Sequence, residues 1–127
     1  MKALSVVTHA GELICSGKKT LEIRRWLPEE IPLIDLAIVQ NQHRLSMERP
    51  TDEEGMVVAV VDVCCVREWD REDAESACSQ WDSGWYAWEL ENIRVVRGKF
   101  KAPAKRRIYS IDIDYETLSF TEHYQKK

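Results

Sequence analysis

The sequence lacks several features that would assign it to a specialised class of protein. No apolar run approaches the ~18–20 residues that a membrane-spanning helix needs. Residues 1–4 lead straight into a strand-like pattern, without the organisation of a signal peptide. Internal repeats and low-complexity tracts are also missing. These absences predict a cytoplasmic protein with no membrane partner.

The four cysteines lack the spacing of a metal or redox motif. None forms a C-x-x-C pair, and the adjacent Cys64 and Cys65 are expected to point to opposite faces of a strand. A zinc site built from Cys78 and a histidine is disfavoured, because further ligands at the usual spacing are missing. We therefore expect four reduced thiols and predict no metal site from these residues.

The net charge of −4 excludes a polycation that binds nucleic acid through its whole surface. The charges are nevertheless segregated, because every charged residue from Arg94 to Arg107 is basic. A second basic group lies near the N-terminus and comprises Lys18, Lys19, Arg24 and Arg25. Folding could unite the two groups into one patch for an anionic ligand, although a solvated face is an equal alternative.

The pattern of apolar residues predicts one small α+β domain. The 127 residues suffice for one domain, and 44% of them are hydrophobic. Strands are predicted over 2–7, 20–26, 33–39, 56–66, 93–96 and 107–114, and short helices before residue 17 and over 70–80. Without a βαβ rhythm, these elements favour a small mixed β-barrel, or a strongly curved sheet, of five or six strands with short flanking helices. We predict a domain over 1–114 and a loose polar tail over 115–127.

The segment from Gly17 to Arg24 carries the most chemical information. A glycine turn leads into a strand, so alternate side chains from Thr20 onward should share the face opposite the core. These side chains are Thr20, Glu22, Arg24 and Trp26, and Lys19 lies beside them at the turn. A cation, a carboxylate and a guanidinium are therefore expected on a single surface.

Such a group has chemical uses. Arg24 can grip a phosphate or carboxylate through two hydrogen bonds. Glu22 can act as a general base if it is buried, and Lys19 can stabilise an oxyanion or act as a base or nucleophile. The alternative is an ordinary surface Glu–Arg pair at strand spacing, worth ~0.2–1 kcal/mol.

The same segment matches the G-x-K-x-x-E-x-R signature of ASCH domains at every specified position, so the chain resembles this family of the PUA-like superfamily. Residues Tyr86–Asn92 resemble the aromatic W-x-L-x-N segment of the family. Residues Ala102–Lys105 resemble its closing P-V-K-G element, with Arg106 in place of the usual glycine. The likeness extends over residues 2–114.

The resemblance implies a small β-barrel in which the charged residues of the signature line a cleft. Members of the family are linked to RNA binding, to metal-dependent cleavage of single-stranded RNA, and to hydrolysis of N4-acetylcytidine. The last activity belongs to a branch that uses a lysine, a threonine and a glutamate. Lys19 corresponds to that lysine, but Glu22 stands where the threonine is expected, and Thr20 is displaced by two residues.

The leading hypothesis from the sequence is a domain that binds RNA or a nucleotide. Its predicted ligand-binding residues are Arg24, Thr20, Trp88, Tyr86 and Lys105, beside Lys19 and Glu22. Packing of most aromatic rings into the core is the alternative for Trp88 and its neighbours. A second hypothesis is a hydrolase in which Lys19 stabilises negative charge and Glu22 is the base; it would need Mg²⁺ or Mn²⁺ only as a nuclease, and no other cofactor is predicted. A third is a scaffold domain that binds a peptide or another subunit.

Overall fold

The computed structural model describes residues 1–121, and most of them lie in or against one mixed β-sheet. The strands of this sheet are β1 (Lys2–Val7), β2 (Leu21–Arg24), β3 (Leu33–Asn41), β5 (Met56–Glu68), β6 (Tyr86–Arg97), β8 (Ile108–Ser110) and β9 (Ser119–Phe120). Two short strands, β4 (Thr51–Asp52) and β7 (Ala104–Lys105), pair with each other in a separate sheet. The helices are α1 (Ala10–Cys15) and α2 (Ala74–Ala77), and single 3₁₀ turns form at Arg71–Asp73 and Tyr115–Thr117.

The strand order of the main sheet is β2-β6-β5-β3-β1-β8, and β9 joins the far end of β6. β1 and β3 run parallel, and the other described pairs are antiparallel. A parallel pair requires a crossover connection, which here contains α1 and β2. Within this crossover, β2 follows α1 in the chain and lies at one end of the sheet order.

Both faces of the central strands are covered by apolar clusters. On β1, Leu4 and Ala3 belong to different clusters, because successive side chains of a strand point to opposite faces. On β3, Ile38 and Val39 divide in the same way. The long β-branched run of β5 is buried for the same reason, so its prediction as a central strand is confirmed.

The mixed sheet with few, short helices is confirmed, whereas the strand count differs from the five or six predicted. The main sheet has seven strands, because residues 119–120 add a strand that was not predicted; residues 86–92 lengthen the strand predicted over 93–96. Within residues 1–121, β2 and β8 terminate the strand order and do not pair with each other. The hydrogen-bonded sheet is therefore open.

Residues 115–121 do not form the loose tail that the polar composition predicted. Leu118 is buried, and β9 pairs with β6 through Val96 opposite Phe120. The ring centres of Tyr115 and Phe120 lie 5.5 Å apart, and Arg94 on β6 donates a hydrogen bond of 3.1 Å to the Tyr115 hydroxyl, which holds the segment against the sheet. The rest of the predicted tail lies outside the described residues, and the domain boundary at residue 114 stays a prediction.

Cys64 and Cys65 are both exposed, and their predicted orientation to opposite faces of the strand stays a prediction. The pairing of β5 with β6 shifts register between Val63 and Cys65, and such a bulge interrupts the alternation of side chains. Partial desolvation and the nearby carboxylates of Glu91 and Asp62 raise the pKa of the Cys64 thiol. No helix within residues 1–121 is long and apolar enough to cross a membrane.

Candidate functional site

The turn between α1 and β2 fixes the start of the site. Gly17 has φ 84°, a left-handed conformation that glycine adopts without strain and that ends α1. The carbonyl of Leu13 accepts hydrogen bonds of 3.0 Å from the amides of both Lys18 and Lys19. These hydrogen bonds fix the position of Lys19 in the turn between α1 and β2.

β2 divides its side chains between the two faces of the sheet. Leu21 is buried with Trp69 and Ala77, and Ile23 packs against the same cluster. Because side chains alternate along a strand, the next residue in line, Glu22, lies on the opposite face. Antiparallel pairing with β6 sets Glu22 opposite Trp88 and holds the strand in register.

Arg24 grips one oxygen of Glu22. Its Nε donates a hydrogen bond of 2.9 Å to Glu22 Oε2, and its Nη2 lies 2.8 Å from the same oxygen. The Nη2 also donates to the carbonyl of Ser5 at 2.7 Å, which ties β2 to β1. Only 9% of the Glu22 side chain is exposed, so this ion pair is largely withdrawn from water.

Lys19 lies on the other side of the carboxylate. Its Nζ donates a hydrogen bond of 2.8 Å to the carbonyl of Ala77, at the end of α2, and lies 3.6 Å from Glu22 Oε1. Glu22 Oε1 itself is buried and accepts no hydrogen bond from the described residues. Two cations thus flank one carboxylate that retains an unused acceptor.

These residues line a cavity of about 360 Å³, and its charge is strongly one-sided. Its cationic side chains are Lys19, Arg24, Arg44, Lys105, Arg106 and Arg107. Glu22 is the one carboxylate in the described lining. In a protein of net charge −4, six cations around one carboxylate form a local cationic surface.

Two tryptophans contribute the aromatic walls of this cavity, Trp26 and Trp85. The guanidinium carbon of Arg107 lies 4.3 Å from the centre of the Trp26 ring, and that of Arg25 lies 4.5 Å from the Trp85 ring. Trp88 contacts Trp26 edge to face, with ring centres 4.9 Å apart. The ring of Trp26 is therefore held between a cation at the cavity and a buried aromatic side chain.

The structure places the predicted site residues in two groups. Lys19, Glu22, Arg24 and Lys105 line the cavity, whereas Thr20, Tyr86 and Trp88 do not. Trp88 was predicted to border the cleft, but it is fully buried in the main apolar cluster because it faces the core from β6. Tyr86 packs against the same cluster.

Thr20 departs from the predicted row of side chains because β2 begins one residue later, at Leu21. Its amide donates to the carbonyl of Ser76 at 2.9 Å, and its own carbonyl accepts from the amide of Leu90 at 2.9 Å. Thr20 lines a separate shallow depression with Arg67 and Glu89. It therefore offers no hydroxyl group to the cavity.

Arg44 is the cavity residue that the sequence pattern gave no reason to select. It lies in the segment between β3 and β4, which Asp52 anchors by accepting hydrogen bonds from the amides of Gln42 at 2.6 Å and Glu54 at 2.9 Å. Burial acts to raise the pKa of Asp52, but these hydrogen bonds and the nearby His43 outweigh it and hold the pKa below its usual value. Asp52 thus positions the segment that brings Arg44 to the cavity.

The long basic stretch is divided by the fold. Its end, from Lys105 to Arg107, lines the cavity together with Lys19 and Arg24, so part of the predicted patch forms. Arg94 is instead buried and pairs with Asp35 at 2.6 Å and Asp62 at 2.7 Å. Arg94 therefore lies outside the patch that the end of the stretch forms with Lys19 and Arg24.

The residues of the cavity do not fit a Mg²⁺ or Mn²⁺ site. Within residues 1–121, no three histidine, cysteine or acidic side chains gather at a possible metal centre. Divalent cations of this kind require several oxygen ligands, and Glu22 supplies the single carboxylate here between two cationic side chains. The metal-dependent nuclease thus has no ligand set in the cavity.

The open mixed sheet and the cavity define a small, mostly-strand domain with a cationic cavity. The chain belongs to the ASCH domain family, whose family model matches residues 4–100. It is similar to the crystal structure of ASCH from Zymomonas mobilis, with a TM-score of 0.52 and 18% sequence identity, over 76% of this chain and 70% of that one. A mutant of the same protein gives a TM-score of 0.49 at 18% identity, over 78% of this chain and 73% of that one. At such identity the likeness shows the fold alone, and no curated protein is significantly similar to this chain.

Proposed function

We propose that this protein binds RNA or a nucleotide in the cationic cavity, with phosphate on the basic side chains and a base against the tryptophan wall. One observation carries the proposal: six cations and one carboxylate line a single cavity in a protein that is acidic overall. Its volume, about 360 Å³, falls within the ~300–1,000 Å³ typical of small-ligand sites.

The cations divide into a pair engaged by the protein itself and a set exposed to solvent. Lys19 and Arg24 are held by Ala77 and Ser5 and are committed to Glu22, so they fix the floor of the cavity. Lys105, Arg106 and Arg107 are exposed at its border, where a phosphate can reach them from solution. Arginine and lysine in such an arrangement are the usual partners of phosphate groups.

The tryptophan wall supports a base-binding role. Stacking of one base on an aromatic ring contributes roughly 1–3 kcal/mol and is tolerant of sequence. Trp26 lines the cavity with the Arg107 guanidinium over its ring, so a base can stack on this paired cation and ring. We therefore assign the contact with the base to this wall, whereas the sequence pattern assigned it to Trp88.

Salt-dependent binding of a short single-stranded RNA tests the proposal. For single strands, the logarithm of the binding constant falls by ~0.7 per neutralised phosphate for each tenfold rise in salt concentration. The Lys105→Ala variant should therefore bind less tightly and with a shallower salt dependence. Lys99→Ala is the matched control, because Lys99 is an exposed cation of the same basic stretch but does not line the cavity. Equal losses in the two variants, or no binding by the wild type, would contradict the proposal.

A hydrolase is the second candidate, and the unused oxygen of Glu22 favours it. This oxygen is buried beside Lys19, so it could accept a proton while the cation stabilises developing negative charge. Thr20, the nearest hydroxyl to the position where a nucleophile is expected, lies outside the cavity. The hydroxyl of Ser5 lines the cavity but forms a hydrogen bond of 2.9 Å with the Tyr109 hydroxyl.

Turnover of single-stranded RNA and of N4-acetylcytidine distinguishes the two candidates. A hydrolase should lose activity in the Glu22→Gln variant while retaining ligand, since removal of the carboxylate leaves the cations in place. Undiminished turnover by Glu22→Gln would remove Glu22 from the role of base. Binding without any turnover by the wild type would favour the binding domain.

A further inference from the structure

A second cavity adjoins the cationic one and shares a wall with it. This second cavity has a volume of about 260 Å³, and Trp26 and Arg107 line both cavities. The stacked pair that they form, with 4.3 Å between the guanidinium carbon and the ring centre, is the boundary between the two. A ligand that extends from one cavity into the other passes this cation and ring pair.

The second cavity differs from the first in character. Its apolar side chains are Leu27, Pro28, Leu33 and Ile108. Of its charged groups, Lys2 forms an ion pair with Glu30, and Glu29 adds a further acid. An anion is therefore disfavoured here, whereas a flat uncharged group is well matched.

The backbone at the shared wall is strained. Arg107 has φ 61°, a left-handed conformation that is unfavourable for a non-glycine residue. Strain of this kind persists where the surrounding structure imposes it, often at ligand-binding positions. Here it accompanies the guanidinium that stands over Trp26, between the cationic and the apolar cavity.

We infer that the two cavities together bind two consecutive nucleotides of a single strand, with the phosphodiester that joins them at Arg107. The first nucleotide occupies the cationic cavity, and the base of the second occupies the apolar cavity beside β8. β8 is the last strand of the described sheet order, so the outer edge of its backbone is open to hydrogen bonds with that base. The inference rests on the proposed function and adds to it the minimum length of the ligand.

Equilibrium binding of two probes tests the inference: 5′-phosphorylated diadenylate and ADP, which carries comparable negative charge without a second base. A second base in the apolar cavity should make the dinucleotide bind about tenfold more tightly than ADP, as stacking and burial of one base allow. Leu27→Gln should abolish this difference and leave ADP affinity unchanged. Leu27 is half-exposed, so the substitution leaves the core intact.

Two further variants make the test specific. Ile34→Gln is the control, because Ile34 is comparably exposed but lines neither cavity, and it should change neither affinity. Arg107→Gln should weaken both probes, since Arg107 belongs to the shared wall. Equal wild-type affinity for the two probes, or equal losses of both in Leu27→Gln, would overturn the inference while leaving the cationic cavity as a nucleotide site. Failure of both probes to bind would overturn the proposed function and the inference with it.

Discussion

Arg24 and Glu22 form an ion pair in which two guanidinium nitrogens, at 2.8 and 2.9 Å, meet a single carboxylate oxygen. The second oxygen of Glu22 is left beside Lys19 without a hydrogen bond from the described residues. Arg–carboxylate pairs frequently engage both oxygens, whereas this pair engages one. The arrangement instead keeps a buried acceptor at the floor of a cationic cavity.

Replacement of Glu22 by Gln should strengthen anion binding and reduce stability. Lys19 and Arg24 would lose their shared partner, and an uncompensated buried charge is costly, so the free energy of unfolding should fall by about 1–3 kcal/mol. The same change removes the negative charge that repels a phosphate. Chemical denaturation and nucleotide titration of one preparation measure both effects. Weaker anion binding together with higher stability would contradict this account of the pair.

Trp26 and Trp88 should differ in what their loss affects. Trp26→Ala should weaken nucleotide binding by about tenfold, since one stacked base contributes roughly 1–3 kcal/mol. Trp88→Phe should leave affinity almost unchanged but destabilise the fold by about 1–3 kcal/mol, because Trp88 is fully buried. Affinity and thermal unfolding of the two variants check the prediction. A binding defect in Trp88→Phe alone would contradict the prediction and indicate that Trp88 contacts the ligand.

Asp52 should act on binding through Arg44. Asp52→Ala leaves two backbone donors without their acceptor, so it should destabilise the protein by about 1–3 kcal/mol and free the segment that carries Arg44. The loss of affinity should match that of Arg44→Ala, and the double variant should bind no more weakly than Arg44→Ala alone. Glu53→Ala, at an exposed neighbouring position, is the control. Additive losses in the double variant would show that Asp52 acts independently of Arg44.

Acid should destabilise the fold through Asp62. Burial acts to raise its pKa, but the amide of Asp35, the side chain of Asn92 and the Arg94 guanidinium outweigh it, so the folded-state pKa lies below the usual value. Stability from such a carboxylate is present above the unfolded-state pKa of about 3.9 and is lost as pH falls through the folded-state pKa. The melting temperature should therefore decline from about pH 4 downward.

Two variants check this assignment. Asp62→Asn should melt at lower temperature near neutral pH, because Arg94 loses a partner, and its decline in acid should be shallower than that of the wild type. Asp112→Asn, at an exposed position, should follow the wild-type curve. An Asp62→Asn curve parallel to the wild type below pH 4 would assign the acid sensitivity to other carboxylates.

Much of the framework follows from the sequence, because local pattern and burial agree there. The range of β1 was predicted to the residue, and the continuous β-branched run of β5 indicated a strand covered on both faces. The segment with Gly17 predicted that Lys19, Glu22 and Arg24 would share a surface, and their side chains do meet. Their roles in ligand binding or catalysis stay predictions.

The remaining errors come from contacts between residues distant in sequence. Trp88 and Trp26 are both side chains on which a base could stack, and the sequence does not distinguish them. The pairing of β2 with β6 determines which of the two is buried. Arg94 continues a run of basic residues, but its partners Asp35 and Asp62 lie on other strands. Arg44 reaches the cavity through an irregular segment, for which hydrophobic periodicity gives no signal.

A titration followed by amide chemical shifts tests the central claim most directly. Addition of a short single-stranded RNA to isotope-labelled protein should move the resonances of residues around the cationic cavity, namely Lys19, Glu22, Ile23, Arg24, Asn41, Arg44, Leu45, Lys105, Arg106 and Arg107. The resonance of Lys99, in the same basic stretch but outside the cavity, should stay in place. Shifts confined to other surfaces, or none at any RNA concentration, would contradict the assignment of this cavity as the nucleotide site.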